Sequence, residues 1–140
     1  MGQLAEFAGN HPFLVSSVLV SLFAVVFYEL RVKSRRLTQL SATDAVRLIN
    51  KGATIIDVRK AEEYGLGHIV HARNVPLAAI EAAPDEVVNK AKTRALLTVC
   101  ENGTGSAKAA GLLRSAGYEA VFSLKGGLAG WRAENLPLVK

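Results

Sequence analysis

The chain has 140 residues, half of them apolar, with 17 Lys and Arg against 12 Asp and Glu. That length holds one compact domain and an appendage, and excludes two full domains. The net charge of +5 is spread along the chain, and no Lys/Arg stripe interleaved with aromatics is present, so no nucleic-acid partner is expected. The single cysteine, Cys100, excludes an intrachain disulfide and a cysteine-only metal site, and it suits a reducing compartment.

The first predicted element is a membrane-spanning helix. No charged side chain occurs from Phe7 to Tyr28, and Phe13–Tyr28 reads FLVSSVLVSLFAVVFY. As a helix, that uncharged stretch reaches about 33 Å, against a hydrocarbon core of ~30 Å. Ser16, Ser17 and Ser21 can return their hydroxyls to carbonyls of the preceding turn, and Pro12 suits a first helical turn. The run has no polar stripe, which argues against a buried core helix and against an amphipathic surface helix. It also lacks the basic leader and small-residue cleavage site of a signal peptide. Residues 1–36 are therefore expected to form an anchor, with a span at about 12–30 followed by a basic flank of Arg31, Lys33, Arg35 and Arg36. The positive-inside rule then places the N-terminus outside and residues 37–140 in the cytoplasm, as a single-pass protein of the inner membrane with the lipid bilayer as a partner. The stretch from Lys33 to Thr38 reads as a short tether that keeps the domain near the bilayer.

Residues 37–140 alternate between helix-like and strand-like segments. Ser41 with Asp44 reads as an N-cap, Ala45, Val46, Leu48 and Ile49 supply an apolar helical face, and Gly52 offers a stop. Ala53–Val58 (ATIIDV) predicts a buried strand. Lys60–Tyr64 predicts a helical turn before Gly65 and Gly67, and Asn74–Pro76 a short extended piece. Leu77–Ala83 reads as a short helix ended by Pro84, and Asp85–Lys92 as one or two further turns. Ala95–Val99 (ALLTV) predicts a second buried strand, and Ser106–Ala116 a helix capped by Gly117. Glu119–Leu124 predicts a third strand, followed by Lys125, Gly126, Gly127 and a last helical turn carrying Trp131 as a core residue. Strands separated by helices imply an α/β domain with a mainly parallel sheet covered on both faces. Ligands in such sheets sit beyond the carboxyl ends of the strands.

Cys100 falls at the carboxyl end of its strand, followed by Glu101-Asn102-Gly103-Thr104-Gly105 and then by Ser106 as a candidate N-cap. Two glycines let the loop turn its amides inward, and the helix start adds roughly half a positive charge. Such a cradle stabilises an anion: a thiolate, a persulfide or a substrate oxyanion. The same pattern also fits a cysteine acting as a small buried hydrophobe. The loop is not a Walker A sequence, because no Gly-Lys-Ser/Thr follows.

Taken in order, Asp57-Val58-Arg59, Glu62-Glu63-Tyr64, Gly67-His68-Ile69, Asn74-Val75-Pro76, the Cys100–Ser106 loop, and Gly126-Gly127 with Trp131 resemble the landmarks of a single rhodanese domain, from about Leu40 to Pro137. With the N-terminal span, the chain resembles bacterial membrane-anchored rhodanese-like proteins. The resemblance implies a sulfurtransferase. In that reading Cys100 takes sulfane sulfur from a donor as a persulfide and passes it to a thiol acceptor, with Glu101, Asn102, Gly103, Thr104, Gly105 and Ser106 binding the substrate. No metal or organic cofactor is implied. Asp57 and Arg59, at a strand end, are expected to form a structural ion pair, with Glu63 as a further partner. His68 and His71 have no nearby third ligand in sequence, so no metal site is expected. No Arg follows Cys100 until Arg114, unlike phosphatases of this fold, whose cysteine loop ends in Arg to bind phosphate. The loop departs from many family members active on thiosulfate, which carry loop arginines, although members with neutral loops exist: Glu101 follows the cysteine, and Gly105 stands where Arg is common. A carboxylate at the mouth should repel a dianionic donor unless Lys108 leans in to offset it. That acidic, arginine-free loop also suggests an alternative, a catalytically weak rhodanese-fold scaffold that binds membrane protein partners.

Overall fold

The computed structural model describes residues 1–87 and 93–140. The chain divides into two units, Met1–Leu37 and Thr38–Lys140.

The first unit consists of helices α1 (Gly2–Asn10) and α2 (Pro12–Thr38). Helix α1 was not expected from the sequence, since two glycines and a C-terminal Asn lower its intrinsic propensity. It ends at His11, whose amide bonds back to Phe7 O at 3.0 Å, and Pro12 then opens α2. The three serines behave as expected: Ser16 Oγ donates to Pro12 O (2.6 Å), Ser17 Oγ to Leu14 O (2.8 Å) and Ser21 Oγ to Ser17 O (2.9 Å). Their hydroxyls are thus satisfied within the helix. Residues Pro12–Ser34 are long and apolar enough to cross a bilayer, and none of that stretch is buried within the chain. The tether expected from Lys33 to Thr38 is helical, because no Gly or Pro interrupts VKSRRLT and α2 continues through it.

The second unit contains, in chain order, β1 (Gln39–Leu40), α3 (Ala42–Asn50), β2 (Thr54–Asp57), α4 (Ala61–Leu66), β3 (Arg73–Asn74), α5 (Leu77–Ala82), α6 (Pro84–Val87), β4 (Leu96–Val99), α7 (Thr104–Ser115), β5 (Val121–Leu124) and α8 (Gly127–Ala133). The five strands pair in the order β1-β5-β4-β2-β3, and every ladder is parallel. Strand β1 escapes a sequence reading because it is two residues long; only its pairing with Ser123 and Leu124 defines it. Ser41 caps α3 as expected, accepting from the Asp44 amide at 3.2 Å. Pro84 opens α6 rather than merely ending α5, as suits a residue without an N–H to offer. The rest of the helix expected over Asp85–Lys92 lies outside the described residues.

Strand alternation sorts the core onto two faces. Ile56 of β2 and Leu96 of β4 join Ile80 of α5 and Ala109, Ala110 and Leu113 of α7 on one side. Ile55, Leu97 and Val99 join Ala45 of α3 and Leu128 and Trp131 of α8 on the other. By the same alternation Cys100, one residue past β4, falls on the face that α7 covers. Thr98 lies on that face too and is fully buried; its hydroxyl is shared between Ser106 O (2.8 Å) and Phe122 O (3.2 Å). This tie pins the first turn of α7 beside the end of β4.

Candidate active site

The loop after β4 is shaped by two glycines and by helix α8. Gly103 adopts φ +94°, in the left-handed region, and is the N-cap of α7. The helix therefore starts two residues earlier than the sequence suggested, and Ser106 lies within its first turn rather than capping it. The opposite wall is Gly127, at φ +59°, where a Cβ would sit 2.4 Å from Cys100 O and 2.6 Å from Glu101 O. Close approach here lets the Leu128 and Ala129 amides take the carbonyls of Cys100 (2.9 Å) and Glu101 (3.0 Å). With these carbonyls engaged by α8, the loop's two leading peptides are fixed in orientation.

On its inner side the sulfur meets one amide donor and two side-chain oxygens. The Gly103 amide donates to Cys100 Sγ at 3.0 Å. The thiol points to Ser106 Oγ at 3.4 Å, and that hydroxyl donates in turn to Gly103 O at 3.1 Å. Asn102 Oδ1 stands 3.8 Å from Sγ and accepts from the Thr104 amide at 3.0 Å, so the Thr104 amide faces Asn102 instead of the sulfur. Of the expected cradle, Gly103 and Ser106 reach the sulfur directly, while Asn102 braces the turn. Gly105 lies against it without a side chain, its absent Cβ only 3.9 Å from Sγ.

Cys100 is 6 % exposed, and that exposure opens into a cleft of about 380 Å³. Its lining combines apolar Val58, Pro76, Leu77 and Ala78 with charged Arg59, Lys60, Glu63 and Glu101 and with Asn102. The expected Asp57–Arg59 pair is present and buried: Arg59 Nη2 lies 2.7 Å from Asp57 Oδ2, and Nε 3.0 Å from Oδ1. Arg59 Nη2 also donates to Gly67 O at 2.7 Å. Hydrogen bonding to Asp57 pushes the Arg59 pKa up, overriding its burial, and the Asp57, Glu101 and Glu63 charges add to the rise. Arg59 therefore remains a fixed cation. Glu63 lines the cleft and acts on Arg59 through its charge.

The expectation for Glu101 needs correction. Its carboxylate is not an unopposed charge at the mouth: Oε2 lies 3.5 Å from Arg59 Nη1, and Oε1 is ion-paired with Arg132 of α8. Sequence reasoning missed both arginines as parts of the site, because they arrive from positions 42 and 31 residues away. Lys108 does not supply the offset, since it pairs with Glu81 of α5. Elsewhere, Trp131 is a core residue as expected, with Nε1 donating to Pro137 O at 3.1 Å. His68 stacks on Tyr64 with ring centroids 3.8 Å apart, and its backbone bridges to Val139.

Comparison with known proteins agrees with this architecture. The sequence profile of the Rhodanese-like domain matches residues 41–134. The uncharacterized protein YibN of Escherichia coli is 33% identical over 141 residues, covering 100% of this chain and 99% of its own length. The thiosulfate sulfurtransferase GlpE of Actinobacillus pleuropneumoniae is 31% identical over 106 residues, covering 75% of this chain and 95% of its own. Among solved structures, a rhodanese-related protein of Thermoplasma volcanium superposes with a TM-score of 0.64 at 26% identity, over 72% of this chain and 96% of that one. The rhodanese-like domain of an Anabaena protein gives 0.62 at 33% identity, over 73% and 78%. A parallel five-stranded sheet, a cysteine loop at its carboxyl edge and a profile spanning most of the second unit lead to one assignment: the chain belongs to the rhodanese-like domain family.

Proposed function

We propose that the protein is a membrane-anchored sulfurtransferase that carries sulfane sulfur as a persulfide on Cys100. The observation that carries this reading is the position of Sγ: it accepts from the Gly103 amide at 3.0 Å and opens into the cleft. In the first half-reaction the Cys100 thiolate attacks the outer sulfur of a donor. A new S–S bond forms on Cys100 as the donor's own bond to that sulfur breaks, and the electron pair leaves with the donor, as sulfite from thiosulfate or as a thiolate from an alkyl persulfide. In the second, an acceptor thiolate attacks the outer sulfur and Cys100 departs as thiolate, so the cycle is redox-neutral and covalent. The Gly103 amide is a fixed dipole aimed at the sulfur, where negative charge resides in the thiolate and persulfide states. The Ser106 hydroxyl has two uses for one proton. It donates to Gly103 O while the thiol is protonated, and rotation brings that proton to Sγ once the sulfur is anionic.

The anchor is α2, oriented by Arg31 and Lys33 with the N-terminus outside and the domain on the cytoplasmic face of the inner membrane. The scaffold alternative drew on an acidic, arginine-free loop together with the anchor; the pairing of Glu101 with Arg59 and Arg132 bears on the first of these and favours the sulfurtransferase reading.

The test is persulfide trapping by mass spectrometry on the full-length protein in detergent. After exposure to a sulfane donor, the wild type is expected to gain the mass of one sulfur atom on the Cys100 peptide, and Cys100→Ser to gain none. A Cys100 peptide unchanged by thiosulfate and by alkyl persulfides alike counts against sulfur transfer.

A further inference from the structure

The lining of the cleft includes two cations, Arg59 and Lys60, and two anions, Glu63 and Glu101. The arginine is already engaged. Asp57 and Gly67 O hold Nε and Nη2 of Arg59 in a buried seat, and its remaining nitrogen, Nη1, is the one that meets Glu101. The second carboxylate oxygen of Glu101 takes Arg132. One side chain, adjacent in sequence to the nucleophile, thus engages both Arg59, which lines the cleft, and Arg132 of α8.

We infer that Glu101 acts as a built-in anion that holds Arg59 and Arg132 and so sets donor specificity, excluding dianionic donors such as thiosulfate in favour of alkyl persulfides of low charge. This rests on the sulfur-transfer reading and names its substrate class. Two features agree with it. The apolar part of the cleft lining, Val58, Pro76, Leu77 and Ala78, offers aliphatic surface to a carbon chain, and Asn102 is the uncharged amide side chain beside it. Arg59 is also positioned independently of Glu101, because Asp57 and Gly67 O hold it. Removal of the Glu101 charge therefore leaves an arginine in place, facing the cleft, rather than a collapsed site.

Full-length wild type, Glu101→Gln, Arg132→Gln and the double variant are loaded in parallel with thiosulfate and with cysteine persulfide, whose ammonium and carboxylate charges cancel. The readout is the ratio of the two second-order rate constants for persulfide formation on Cys100, which is independent of the fraction of protein folded. A dianion about 6 Å from a unit charge gains roughly tenfold when that charge is removed, even at the dielectric of water. Glu101→Gln is accordingly expected to raise the thiosulfate-to-persulfide ratio about tenfold. Arg132→Gln, which leaves Glu101 less compensated, should lower it, and the double variant should fall between the two single ones. A ratio that stays within twofold of wild type in Glu101→Gln, or that falls, overturns the inference while leaving sulfur transfer standing. Failure of both donors to load wild-type Cys100 removes the sulfur-transfer reading and the inference with it.

Discussion

Helices α2 and α7 are both rich in apolar residues, yet they meet opposite fates. Helix α7 buries Ser106, Ala109, Ala110 and Leu113 against the sheet and leaves Lys108 and Ser115 exposed. Helix α2 buries none of its apolar stretch within the chain; Phe13, Leu19 and Phe23 are all exposed. An amphipathic helix finds its apolar solvent inside its own domain, whereas a helix apolar all round requires one from elsewhere. The lesson concerns division of labour. The domain's core and its Cys100 loop depend on α7 and the glycines around its start, whereas α2, long and apolar enough to cross a bilayer, has in the function proposed above the role of location alone.

Three substitutions and one deletion test that division. The largest effect is expected for Gly127→Ala, whose methyl would overlap the Cys100 and Glu101 peptides at a left-handed φ. A cost of about 4 kcal/mol in urea unfolding is expected, with loss of Cys100 loading. Next comes a matched pair of leucines. Leu113→Ala, in the core beneath α7, should cost about 3 kcal/mol, while Leu19→Ala in α2 should leave the domain's unfolding unchanged. Equal effects of the two would break the comparison, because α2 would then be a structural part of the domain. The smallest effect on the domain should follow removal of residues 1–37: the remaining chain should melt at the full-length temperature and still load Cys100. Only co-sedimentation with anionic lipid vesicles should disappear, and retained sedimentation would show that the domain itself binds membranes.

Much of the fold was legible because it depends on neighbouring residues. Short continuous apolar runs gave ATIIDV and ALLTV away as buried strands, and Ser41 with Asp44 announced α3. The end of the ALLTV run put Cys100 at a strand's carboxyl end, and the structure supplied the face it occupies. Short or composite features were harder. Strand β1 exists only through its partner β5, and α1 has no strong propensity to betray it. The start of α7 was misplaced because serine is the commoner N-cap by type. Here the capping position needed the left-handed φ of Gly103, and a Cβ there would lie 3.2 Å from Gly126 N. Thr98, the one polar residue of its strand, was a visible signal of a buried tie to α7 that went unused.

The sequence alone determined a parallel α/β domain behind an apolar helix, with its single thiol at the sheet's carboxyl edge. These follow from periodicity, composition and order, which are properties of residues close together in the chain. The tertiary structure decided the electrostatics of the cleft and the shape of the loop. Glu101 changes from a lone carboxylate to one shared by Arg59 and Arg132 only when β2, β4 and α8 converge. Gly127 becomes indispensable only when α8 packs its first turn onto the Cys100 carbonyl. Coulomb energy and steric exclusion act over a few ångströms of space, and separation along the chain carries no information about either until the fold has closed.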